Sequence, residues 1–88
     1  MIAYDLNNPT KDYGNFFDTL RGLGSEANRG FPNFWFVHTS LPVADITARL
    51  QSCIDVNSDK FFVGDVTGKS KNGWMYGSTW DWVNRFDS

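Results

Sequence analysis

Three side chains have the type and setting for acid–base or metal chemistry. Asp5 follows the apolar segment Ile2-Ala3-Tyr4, and Asn7, Asn8 and Pro9 stop the strand just beyond Leu6. A carboxylate at the lip of a buried strand is costly unless a metal, a backbone amine or a symmetry mate answers it. His38 is the lone histidine, in Phe34-Trp35-Phe36-Val37-His38-Thr39. Its ordinary pKa suits general acid or base work at neutral pH. Asp65 repeats the strand-end placement of Asp5. Each has a plainer reading: Asp5 capping its loop, His38 packed and hydrogen-bonded in the core, and Asp65 solvated.

A second set suits contact with phosphate and bases. Arg21, Arg29, Lys69 and Lys71 supply cations, and Trp35 or Trp74 supplies a ring for stacking. Ordinary surface charge beside core aromatics is the alternative. The net charge of −2 and a pI near 5 argue against a broad basic nucleic-acid footprint, so such contact would be local and salt-sensitive. Cys53 is the single cysteine, which rules out an intrachain disulfide and a cysteine-ligated zinc centre. The sequence carries no P-loop and no Gly-x-Gly-x-x-Gly fingerprint.

The elements that must carry these groups follow from periodicity. Tyr13, Phe16, Phe17, Leu20 and Leu23 recur at helical spacing, with Thr10 or Asp12 to cap the start and Gly22 and Gly24 to end it. A short irregular edge strand is expected before the turn Gly30-Phe31-Pro32-Asn33, then a strong strand from Phe34 to Thr39. Pro42 starts a second helix whose stripe is Val43, Ile46, Leu50, Cys53 and Ile54. Lys60–Val66 reads as a strand, and Lys69–Gly73 as a basic loop. Trp74, Tyr76, Trp80, Trp82 and Phe86 lie in a tail with a short helix capped by Thr79.

The order predicts one α+β domain over 1–88, a ferredoxin-like β-α-β-β-α-β unit with an antiparallel sheet. Its first and third strands lie side by side in the middle, with two helices on one face. The other face needs a cover: the aromatic segment 74–88, the partner in a two-fold homodimer, or both. With 8 Phe, 4 Trp and 3 Tyr, large rings supply much of the buried area. No apolar run reaches the roughly 18–20 residues needed to span a bilayer, and no signal-like start is visible, so a cytoplasmic protein with no membrane partner is expected.

On Tyr4-Asp5-Leu6-Asn7, Phe34-Trp35-Phe36-Val37-His38-Thr39-Ser40, Phe61-Phe62-Val63-Gly64-Asp65-Val66-Thr67-Gly68 and Gly73-Trp74, the chain resembles a known family. It is similar to the small CRISPR-associated spacer-acquisition subunit, and more so to its SinR-like relatives outside CRISPR loci. The resemblance implies a ferredoxin-like homodimer whose C-terminal segment reaches over the partner. It also implies nucleotide or nucleic-acid handling, with metal-dependent nuclease activity in some members. That last role carries over only onto Asp5, which would face its symmetry mate and hold Mg²⁺ to activate water against a phosphodiester. The other expectation is a non-catalytic defence or counter-defence factor, binding a protein partner or a small nucleotide at the dimer seam.

Overall fold

A computed structural model describes residues 1–86; Asp87 and Ser88, the end of the predicted C-terminal segment, lie outside the described residues. The chain order is β1 (Ile2–Asp5), α1 (Gly14–Arg21), β2 (Glu26–Phe31), β3 (Phe34–His38), α2 (Val43–Gln51), β4 (Lys60–Val63) and α3 (Gly77–Phe86). The four strands form one antiparallel sheet in the order β2-β3-β1-β4. β1 and β3 are therefore central, as the sequence order predicts.

Strand alternation sorts the side chains onto two faces. Ile2, Tyr4 and Trp35 point to the helix side, where they meet Phe16, Leu20 and Leu23 from α1 and its exit, and Ile46 and Leu50 from α2. Phe16, Leu20 and Leu50 are completely buried. Tyr4, Phe16 and Phe17 pack edge to face with centroids 5.2–5.7 Å apart. This three-ring cluster pins α1 to β1, and the arrangement favours the edge-positive, face-negative distribution of aromatic charge.

The other face carries Ala3, Asp5, Phe34, Phe36 and His38. α3 lies over its His38 end: Phe86 stacks on His38 at 4.2 Å, and Arg85 bridges to Glu26 at 2.7 Å. Thr79 is buried inside this helix, which begins two residues earlier at Gly77. It is therefore a packing residue and not the cap expected of it. The far end of the same face is open. There Ala3 pairs with both Phe34 and Phe62, Phe31 stacks on Phe34 at 4.7 Å, and Phe62 and Phe31 are 64% and 44% exposed.

Two local details differ from the sequence reading. α1 stops at Arg21 with Gly22 in an ordinary right-handed conformation (φ −87°), so its termination needs no left-handed glycine. Gly24 serves a different purpose, because a Cβ there would sit 2.0 Å from the His38 carbonyl oxygen. At the start of the helix, Asp12 Oδ1 accepts the Gly14 amide at 2.8 Å, while Thr10 bonds Asn8 instead. Asn33 turns the chain between β2 and β3 with φ 70°, a conformation asparagine tolerates better than most residues.

Candidate nucleic-acid interface

The expected catalytic pair does not meet. β1 and β3 run antiparallel with Ile2 opposite Trp35, so Asp5 and His38 lie in opposite directions from that pair. Six residue steps at about 3.3 Å each separate them by roughly 20 Å. Asp5 is exposed at the uncovered end of the sheet, with Lys60 opposite it on β4. His38 stands at the other end, stacked on Phe86. One protomer therefore offers no site that uses both. Among the described residues no three His, Cys, Asp or Glu side chains converge as a metal-ligand group.

Asp65 folds onto its own turn. Its Oδ1 accepts the Thr67 amide at 2.9 Å, and hydrogen bonds from the Thr67 amide and hydroxyl hold the carboxyl below the usual range.

The basic residues fall into two groups. Arg21 leaves the last turn of α1 and Arg29 projects from the edge strand β2; both guanidiniums lie over the Trp35 ring, at 5.6 and 6.0 Å from its centroid. Trp35 is itself only 7% exposed, and its Nε1 donates to the Tyr4 hydroxyl at 3.0 Å. Such a ring is too buried to stack on a base. It acts instead as an anchor that attracts each cation through the negative charge of its π system.

Arg21 has Asp18 at 3.6 Å, an exposed pair of little strength. No described carboxylate lies within ion-pair distance of Arg29. An open groove runs along this edge, bounded by Arg21, Ser25, Asn28, Arg29 and Trp35, by Glu26, which is paired with Arg85, and by Tyr76 and Ser78 at the entry to α3. Tyr76 is 74% exposed there. Two guanidiniums anchored by one ring, flanked by hydroxyls and an exposed ring, can grip phosphate and stack one base.

Lys69 and Lys71 belong to the β4–α3 loop. The Lys71 ammonium donates to the carbonyls of Val66 and Lys69, both at 2.7 Å, and so closes its own loop. Trp74 is 99% exposed, which leaves both ring faces accessible. Of the predicted nucleic-acid set, Arg21, Arg29 and Trp35 come together, while Lys69, Lys71 and Trp74 form a separate stretch.

A polar centre that the sequence reading passed over lies at the end of β1. Asp59 is 6% exposed and accepts hydrogen bonds from the Asn7 amide, the Tyr13 hydroxyl, the Asp55 amide and the Ser58 hydroxyl. Burial pushes its carboxyl up. The four donors outweigh that and hold it down, at about 2. Asn8 Nδ2 adds a bond to Asp55 Oδ2 at 2.9 Å. The alternation Asp55-x-Asn57-x-Asp59 has the opening spacing of a calcium loop. Here the Asp59 oxygens are taken by N–H and O–H donors, so the segment is a clasp joining the β1–α1 loop to β4. The signal available in the sequence was this alternation, ending two residues before the Phe61–Phe62 strand pair.

No family model, curated protein or solved structure matches this chain.

Proposed function

We propose that the chain is a ferredoxin-like protomer that handles nucleic acid or nucleotides, of the type its motifs resemble in CRISPR-associated spacer acquisition and the SinR-like proteins. Contact with a single strand runs along the β2 edge, where Arg21 and Arg29 take phosphate and Tyr76 takes a base. The observation that carries this reading is the pair of guanidiniums within 6.0 Å of one buried indole ring. Both guanidiniums are held at this edge by the same ring, and a phosphate bound there gains from both charges. The groove is short and the net charge is −2, so affinity is modest and falls with salt. Anisotropy with a labelled single-stranded oligonucleotide tests it. Arg21→Glu with Arg29→Glu should abolish binding, whereas Lys69→Glu should change it little.

A second reading has its own support. Ala3, Phe34, Phe31 and Phe62 form an apolar row whose outer members Phe31 and Phe62 are exposed, and Asp5 projects from the same face two residues beyond Ala3. A two-fold homodimer through this row carries Asp5 to the seam, where two copies supply the carboxylates for one hydrated Mg²⁺ and slow phosphodiester cleavage. A protein partner of a defence or counter-defence factor would use the same row without chemistry. Mg²⁺-stimulated hydrolysis that disappears in Asp5→Ala supports cleavage. Full function in Asp5→Ala leaves binding as the activity. Binding is favoured, because His38 stands at the far end of the sheet from Asp5.

A further inference from the structure

Asn72-Gly73 is the one asparagine–glycine step in the chain. It lies in the stretch without regular structure between β4 and α3, and both residues are exposed. The Gly73 amide donates to Asn72 Oδ1 at 2.8 Å, so the main-chain nitrogen already rests against the carboxamide before it. Cγ is one C=O bond, about 1.23 Å, from that oxygen, and therefore within about 4 Å of the nitrogen. Reacting groups held roughly 3–3.5 Å apart are in near-attack position, and a small turn of an exposed side chain covers the rest. Glycine leaves the nitrogen unhindered, with no Cβ beside it and a backbone free to turn.

The other asparagines lack this combination. The amide after Asn7 donates to the Tyr13 hydroxyl, and the amide after Asn57 donates to the Asp55 carbonyl. Asn8 precedes Pro9, which has no N–H. Asn15 and Asn33 precede phenylalanine, whose side chain crowds the nitrogen. Asn28 and Asn84 lie inside β2 and α3, where the backbone is fixed.

From this geometry we infer that Asn72 is a self-modifying site. The Gly73 nitrogen gives its proton to hydroxide and bonds to Asn72 Cγ. The bond from Cγ to Nδ2 then breaks, and the amide group takes a proton from water and leaves as ammonia. Water opens the cyclic imide at either carbonyl, giving aspartate or its β-linked isomer, so water is the only reactant consumed. Either product carries a new carboxylate, which takes the net charge from −2 to −3. The charge appears in the basic loop, next to Lys71, whose ammonium holds the Val66 and Lys69 carbonyls at 2.7 Å. The β-linked form also lengthens the main chain just ahead of the exposed Trp74. This chemistry does not depend on the oligonucleotide reading given above.

The test is peptide mapping by mass spectrometry of the intact chain, aged in mildly alkaline buffer made with heavy-oxygen water. Residue 72 should take up one heavy oxygen and release one equivalent of ammonia before any other asparagine changes, in both linear and β-linked forms. The rate should rise with hydroxide concentration and at least equal that of a synthetic peptide spanning residues 69–76. In Gly73→Ala the added carbon meets only Trp80 Cζ2, at 4.0 Å, so the fold should persist while conversion slows at least about tenfold. The comparison of folded chain with free peptide needs no variant and stands if that one fails to fold. The inference is overturned by earlier conversion at Asn57, by an unchanged rate in Gly73→Ala, by a folded chain slower than the peptide, or by no conversion at residue 72.

Discussion

Asp59 has the densest hydrogen bonding of any side chain described, and its effect on stability has a definite sign. Its carboxyl is held at about 2 in the fold against an ordinary 3.8. A depressed folded pKa stabilises at every pH above the unfolded value, and that contribution is lost as pH falls through the folded one. Unfolding by denaturant should therefore show stability that is level above about pH 4 and declines towards pH 2. Asp59→Asn should lower stability at pH 7 and flatten that decline. Tyr13→Phe removes one donor, so the folded carboxyl rises towards its ordinary value and the decline below about pH 4 becomes smaller. A decline unchanged in Asp59→Asn would assign the acid sensitivity elsewhere. The alternation Asp55-x-Asn57-x-Asp59 stands in the sequence, but there Asp55 to Asp59 reads only as a polar exit from α2. What makes Asp59 special is the return of Asn7 and Tyr13, 52 and 46 residues away, and such pairings depend on the tertiary fold.

The elements were far more legible, because hydrophobic period is a local property. The stripes Phe16-Leu20-Leu23 and Ile46-Leu50 are the ones buried, and the alternation of Phe34 to His38 separates the two sheet faces as expected. Boundaries were less so. β4 stops at Val63, although β-favouring Val66 follows, because the chain leaves β1 behind once Met1 is passed. The glycines show why position outweighs residue type. Gly24→Ala drives a methyl into the His38 carbonyl, so β3 or the α1–β2 loop must move, and a marked loss of stability is expected. Gly77→Ala, with nothing within 4 Å of the added carbon, should be close to neutral. Equal melting temperatures for the two variants would show that the close approach at Gly24 is easily relieved.

For the whole molecule, the sequence left the cover of the second sheet face open between the tail and a partner. α3 takes one end, through Phe86 and Arg85, and leaves the row Phe31, Phe34, Ala3 and Phe62 uncovered. Exposed apolar rows of this kind mark interaction surfaces. Phe62→Glu changes an exposed side chain, so the fold should persist while a dimer, measured by light scattering, should dissociate. A dimer unaffected by Phe62→Glu would place the association elsewhere. The site was partly legible: Arg21, Arg29 and Trp35 could be named as types, but their convergence required the register that sets Arg29 beside Trp35. The separation of Asp5 from His38 followed only from the strand directions.

The most direct test of the edge reading is the salt dependence of single-strand binding. With two phosphates neutralised, the slope of log K against log salt should be about −1.4, falling to about −0.7 in Arg29→Glu or Arg21→Glu. A slope near zero, or one that neither charge reversal changes, would contradict it.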